Sequence, residues 1–264
     1  MKTPRYAIIN SSLDPAGKNI RGNLLKLEIP SNVILYETDK EIVRHECIDR
    51  EPELKDCDFF IFASKHQSKS GIPSFSVHPI GNFGSADFGG KERELCISMP
   101  GIMKRAFLLM KYKAPLEYDI IYEATHHGPY LEKPSVFIEI GTSEKEWNNK
   151  EAGAIMAEII LETIKLGPVE SENSIPAICI GGQHTCTNFL KIMQKTQYSL
   201  SHCCPKYALD HLNDEMLLQC IKKSNEPVKT VLLDWKGLGE HKERVIKMLE
   251  DNKLEYIRID KIGK

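Results

Sequence analysis

Nowhere in the chain do about eighteen apolar residues run together, and no basic start leads into an apolar signal-like region, so neither a membrane span nor export is expected. The expected location is the cytoplasm. None of the eight cysteines forms a Cys-x-x-Cys pair. In a chain that is not exported they read as reduced thiols rather than as a disulfide framework. Charge of one sign is missing as well: 35 Lys and Arg against 37 Asp and Glu leave a formal net charge of −2. That balance excludes a protein that grips nucleic acid through a globally basic surface. No Pro/Gly/Ser-rich linker and no internal repeat divides the sequence, and the longest polar segment, Gly84 to Glu94, reads as a mobile loop. The 264 residues are therefore expected to form one continuous domain, 1–264, with a sizeable core.

What is present alternates. Apolar strand-like runs recur at Tyr6 to Ile9, Val33 to Tyr36, Phe59 to Ala63, Phe75 to Ile80, Ile120 to Ala124, Val136 to Ile140, Ala177 to Ile180 and Val231 to Leu233, with a last one near Leu254 to Ile257. Helical signals lie between several of them. Asp14-Pro15 is an N-cap with proline at the first helical position. Ser143-Glu144-Lys145-Glu146 is a capping box before Ala152, Ile155, Met156, Ile159, Ile160 and Thr163 at helical spacing. Further helices are expected from Ala208 to Ile221 and from Glu240 to Glu250. The pattern predicts an α/β fold, a layered mixed sheet flanked by helices.

The chemistry-bearing residues bunch where strands end. Thr125-His126-His127-Gly128-Pro129 puts two adjacent imidazoles at a strand-to-loop junction, the place where α/β sheets collect ligands. Consecutive extended residues point apart, so one imidazole is expected to act while the other holds the loop. Glu139, between Ile138 and Ile140, is a carboxylate inside an apolar run and needs a cationic, metal or hydrogen-bonding partner. His66, His78 and His184 follow or close three other runs, which points to one shared pocket. Three protein ligands to zinc would leave a position open for water, whereas without metal a neutral histidine oriented by Glu139 can serve as general base. Both routes end in hydrolysis. The cluster His184, Cys186, His202, Cys203 and Cys204 is a weaker metal candidate, since its spacing matches no structural zinc pattern. Lys65 and Lys69, and Lys104, Arg105, Lys111 and Lys113 along one helix, are candidate phosphate contacts, with a solvated helix face as the plainer reading of the latter four. His45, His211 and His241 sit in charged contexts and are expected at the surface.

Taken together, Ser12-Leu13-Asp14-Pro15-Ala16, Ala63-Ser64-Lys65-His66, Val77-His78, Thr125-His126-His127-Gly128-Pro129, Glu139-Ile140-Gly141 with Trp147, Gly181-Gly182 with His184, and Asp234-Trp235-Lys236-Gly237 resemble the archaeal and plant type of D-aminoacyl-tRNA deacylase, over nearly the whole chain. The resemblance implies a fold like that of peptidyl-tRNA hydrolases and purine nucleoside phosphorylases, and hydrolysis of the ester between a D-amino acid and the tRNA 3′-terminal ribose. D-aminoacyl-tRNA is then the partner, with no membrane and no obligate protein partner. It also implies zinc. On this resemblance His126, His127 and Glu139 are expected at the catalytic centre and His66, His78 and His184 as metal ligands or orienters. Lys65, Ser68, Lys69 and Ser70 are expected to contact the acceptor end, and the amides of Gly128, Gly141 or Gly182 to serve an oxyanion. Two rival readings are a phosphorylase-like nucleoside transferase and a non-catalytic tRNA-end-binding protein.

Overall fold

The computed structural model describes residues 3–169 and 174–262. Its strands fall into two sheets. The first has six strands in the order β2 (Val33–Thr38), β1 (Tyr6–Ser11), β3 (Phe59–Gln67), β6 (Ser135–Thr142), β4 (Ser74–His78), β5 (Asp119–Tyr122). β1, β2, β3 and β6 run parallel, while β4 lies antiparallel to β6 and carries β5 with it. The second sheet is wholly parallel, in the order β10 (Glu255–Arg258), β9 (Thr230–Leu233), β7 (Ile175–Gly182), β8 (Tyr198–Pro205). The α/β class is as expected, but the apolar runs are divided between two sheets. The extra strand, β8, reads Tyr-Ser-Leu-Ser-His-Cys-Cys-Pro.

Helix α1 (Pro15–Leu24) starts where Asp14 caps it, one carboxylate oxygen accepting from the Gly17 amide and the other from the Lys65 amide, so the cap also fastens the helix to β3. The capping box at Ser143 and Glu146 opens only the one-turn α3 (Glu144–Trp147). A second cap, Asn149, starts the long α4 (Lys150–Leu166). The expected 208–221 helix is a 3₁₀ turn followed by α6 (Asp214–Lys222), and α7 spans Lys242–Asp251. Helix α2 (Pro100–Lys113) does not present a basic solvated face. Lys104 is buried with Nζ donating to Thr196 O, Arg105 donates to Gly167 O, and Lys113 pairs with Glu158 and Glu162. Among the described residues, no helix is long and apolar enough to cross a membrane.

The two faces of the first sheet have different tasks, as the two-residue repeat of a strand dictates. Ile61, Ala63, Val77, Ile138 and Ile140 enter a large core with α2, α4 and the Ala177, Cys179, Leu200 and Cys203 side chains of the second sheet. Phe60, Phe62 and Phe137 face the other way, with the Phe62 and Phe137 rings stacked at 4.8 Å. The functional residues described below continue this second face.

Just past β5 the chain is clamped to the second sheet. Ala124 N donates to His184 O, Thr125 N to Cys203 O, and Cys203 N to Thr125 Oγ1. His202, fully buried on β8, completes the clamp. Its Nε2 faces the carbonyls of Cys96 and Lys223, which only accept, so Nε2 carries the proton and Nδ1 accepts from the Thr125 hydroxyl 3.1 Å away. Burial, reinforced by the nearby Lys223 charge, pushes this imidazole down to about 4. The unfolded chain binds this proton near pH 6.5 and the folded chain near 4. Stability is therefore lost as pH falls through that window, by up to about 3 kcal/mol. Denaturant titrations of the unmodified protein and of His202→Gln between pH 7 and 4 should diverge in slope, and parallel curves would refute the assignment.

Candidate active site

On the face that carries Phe62 and Phe137, the next residues outward are polar. β3 supplies Ser64 and His66, β4 supplies Ser76 and His78, and Glu139 of β6 lies between them. Ser64 Oγ donates to Glu139 Oε1 at 2.6 Å and Ser76 Oγ to Oε2 at 3.2 Å. His66 Nδ1 and His78 Nε2 stand 3.8 and 3.7 Å from Oε2. The partner that Glu139 was expected to need is thus two serines and two imidazoles. It hydrogen-bonds to neither His126 nor His127. Gly141, one step further on this face, is a spacer: a Cβ there would stand 2.4 Å from Ser74 Oγ and 2.8 Å from the His66 ring.

Glu123, which follows β5 directly, is the residue that sequence reasoning passed over. It is fully buried, and His184 Nε2 donates to its Oε2 at 3.1 Å. His66 Nδ1 lies 3.2 Å from Oε1 and His126 Nε2 3.8 Å from Oε2. The signal was available, since Glu123 lies inside the Ile120 to Ala124 run and a carboxylate inside an apolar run is the argument that singled out Glu139. His126 and His127 do not point apart. His127 adopts a left-handed backbone, φ 45°, which folds the two rings to a centroid separation of 4.3 Å. His78 joins them at 4.2 and 4.9 Å, with Phe137 packed under His78 and His127.

Backbone carbonyls set the tautomers of this trio. Nδ1 of His78 meets Pro79 O at 3.1 Å, Nδ1 of His126 meets Ala124 O at 2.8 Å and Nδ1 of His127 meets Gly128 O at 2.6 Å. A carbonyl only accepts, so each Nδ1 is the protonated nitrogen and each Nε2 keeps a lone pair. The charges around the site are divided. Burial together with the neighbouring His78 holds His126 well below its ordinary value and His127 at about 4. Burial also acts to lower His66 and His78, but the adjoining carboxylates reverse it: Glu123, then Glu139, bring His66 to about 8, and Glu139, then Glu123, raise His78. Burial would raise Glu123, yet its contacts with His184 and His66 hold it well below the carboxylate range.

Among the described residues three overlapping groups could each hold a metal ion, the donor atoms of each lying within 4.8 Å of one another: His78, His126 and His127; Glu123, His126 and His184; and His66, Glu123 and Glu139. Among the described residues His78 Nε2 and Glu123 Oε1 are moreover buried without a hydrogen-bond partner, a costly state that a bound cation would relieve. The donor set of imidazole and carboxylate suits zinc. His66, His78 and His184, expected together as ligands, are each in a different group.

A cavity of about 540 Å³ opens on these side chains. Phe88 and Tyr207, 70% and 58% exposed, rim it. The 84–94 segment, read from sequence as a mobile loop, is a wall of this cavity and is tied down. Gly128 N donates to Phe88 O, Asn82 Nδ2 to Gly89 O, and the Glu46 carboxylate accepts from the amides of both Gly90 and Tyr130.

The family model described as D-aminoacyl-tRNA deacylase matches residues 53–257, more than three quarters of the chain. The chain belongs to the D-aminoacyl-tRNA deacylase family. It is 34% identical to a D-aminoacyl-tRNA deacylase of Pyrococcus furiosus, covering 95% of this chain and 98% of that one. It is 36% identical to one of Methanocaldococcus jannaschii, covering 97% and 100%. A crystal structure titled as a conserved protein of unknown function superposes with a TM-score of 0.88 at 30% identity, over 99% of this chain and 98% of that one.

The other residues that the deacylase resemblance pointed to are dispersed. Lys65 lines the main cavity, its Nζ over the Trp147 ring, while Ser68 and Ser70 line an adjoining cavity of about 320 Å³ on the far side of His66. Lys69 is exposed and borders neither. Gly128 has already given its amide to Phe88, and a Cβ on Gly182 would meet the Phe189 ring at 2.6 Å. The Cys186, Cys203 and Cys204 thiols are buried and pushed well up by that burial, and no cysteine belongs to a metal group among the described residues. His45 is not at the surface but buried between Thr38 and Glu51. Glu123→Gln keeps the shape of the side chain and removes its charge. The His66 titration midpoint, followed by imidazole NMR, should then drop from about 8 by roughly one unit or more. An unmoved midpoint would show that Glu123 does not govern this imidazole.

Proposed function

We propose that this chain hydrolyses the ester joining a D-amino acid to the 3′-terminal ribose of tRNA in the cytoplasm, freeing the mischarged tRNA. The observation that carries this reading is the Glu123–His184 pair at the wall of a cavity rimmed by Phe88 and Tyr207. By accepting the His184 Nε2 proton, Glu123 leaves Nδ1 as the basic nitrogen, which faces Tyr207 Oη at 3.0 Å. A water taking the place of the Tyr207 hydroxyl gives its proton to Nδ1 and attacks the ester carbonyl. The bond to the ribose oxygen then breaks, and His184 returns the proton to that oxygen, releasing the D-amino acid and tRNA. The exposed aromatic rims suit the terminal adenine, since base stacking on such rings is favourable whatever the sequence.

Zinc fits the trio His78, His126 and His127, whose tautomers and buried Nε2 of His78 leave lone pairs without donors. It would supply Lewis-acid charge beside the ester. Of the residues expected at the catalytic centre, His126 and His127 become ligands, and His184, expected as a ligand or orienter, becomes the group that moves the proton. Glu139, fixed by Ser64 and Ser76, holds negative charge 3.8 Å from His66 Nδ1 and 3.7 Å from His78 Nε2.

Release of D-tyrosine from D-tyrosyl-tRNA should exceed release of L-tyrosine from L-tyrosyl-tRNA, should fall on chelation and should return with added zinc. His184→Ala should lower kcat by about 10²–10⁴-fold. Release that resists chelation would move catalysis to the imidazoles and carboxylates alone, and no release from either ester would overturn the reading.

A further inference from the structure

A cavity of about 650 Å³ lies outside the imidazole cluster, at the carboxyl ends of the second sheet. Helix α5 (Thr187–Lys195) leads from β7 to β8 on one side, and α7 leads from β9 to β10 on the other. The strand order therefore reverses between β7 and β9, the place where open parallel sheets form a crevice for ligands. Asp234-Trp235-Lys236-Gly237, a motif not used by the hydrolytic site, leaves β9 here. It packs so closely on the tip of β7 that a Cβ on Gly237 would stand 1.6 Å from Gly181 O.

The crevice is cationic in a chain whose net charge is −2. Its two carboxylates are already engaged: Asp234 accepts from Asn188 Nδ2 and the Gly237 amide, and Asp260 is paired with Arg258. Arg258 is held in addition against the Trp235 ring at 4.3 Å, with Lys242 Nζ 5.5 Å from the same ring. Lys191 and Lys195, one helical turn apart on α5, and Lys236 are exposed and have no anionic partner among the described residues. A lining of unopposed ammonium groups in a cavity of this size selects an anion larger than a single phosphate. From its tip β7 continues through Gly182 to His184 on the main cavity, and Asn188 on the crevice wall follows four residues later.

We infer that this crevice binds the ribose-phosphate backbone of the tRNA acceptor arm and holds it while the 3′ end reaches the imidazole cluster. The inference rests on the deacylase reading for what occupies the neighbouring cavity. A free nucleotide shares the phosphate chemistry, so the test separates the two. Binding of deacylated tRNA is measured by filter retention over a range of salt for the unmodified protein, for Lys191→Glu/Lys195→Glu/Lys236→Glu, and for the milder alanine triple. Lys26→Glu/Lys55→Glu/Lys165→Glu, an equal charge change at exposed lysines away from the crevice, is the control for charge alone.

The glutamate triple should weaken tRNA binding tenfold or more, and the alanine triple should flatten the logarithmic salt dependence by about three, one per lost phosphate contact. The control should do neither. KM for D-tyrosyl-tRNA should rise at least tenfold relative to KM for D-tyrosyl-adenosine, which has no acceptor arm. tRNA binding and salt slope that match the unmodified protein would overturn the inference. So would lysine-dependent binding of AMP with tRNA binding unaffected. If neither ester is hydrolysed while tRNA binding still depends on the three lysines, the hydrolytic reading fails and the crevice assignment stands.

Discussion

Glu123 is a fully buried carboxylate, and much of the arrangement around it follows from the cost of keeping it charged. An ionised side chain removed from water needs opposite charge or donors close by. Here they come from both sheets: His66 from β3, His126 from the turn after β5 and His184 from beyond β7. The carboxylate therefore works as a junction. The six-stranded and the four-stranded sheets meet where an unpaired charge would be most expensive, and the clamp through Ala124, Thr125 and Cys203 holds that junction to the backbone.

Much of this was legible in the chain, for reasons that differ by residue. Strands such as Phe59–Gln67 and Ser135–Thr142 carry long apolar runs, and Asp14, Ser143 and Glu146 carry capping chemistry that acts locally. β8 escaped because its serines, histidine and cysteines are polar or ambiguous by type. Ser199, Ser201 and His202 are fully buried there only because tertiary partners satisfy them, such as Ser98 for Ser201 and Thr125 for His202. The same dependence on distant partners hid the burial of His45 and Lys104.

In the site, residue types were readable and pairings were not. That Glu139 needs partners follows from its apolar flanks, but that two of them are Ser64 and Ser76 depends on the registers of parallel β3 and antiparallel β4 against β6, which no local pattern encodes. The turn at His127 shows the same limit. Adjacent imidazoles on extended backbone diverge, and only the left-handed φ of His127 brings them together. A β-carbon-bearing residue in that region is held there by its surroundings, here the packing of Phe137 and His78 against the ring.

Glu46 has one carboxylate oxygen on the Gly90 amide and the other on Tyr130, while Phe88 O takes the Gly128 amide. The wall of the cavity and the turn bearing the two histidines are thus stitched along the same edge. A substrate too large for the opening cannot be admitted by lifting that wall alone, because the wall would draw the imidazoles out of register as it moved. Access and reactivity share one mechanical part. The width of the closed mouth, rather than the swing of a gate, then sets the largest group that can reach the floor of the cavity.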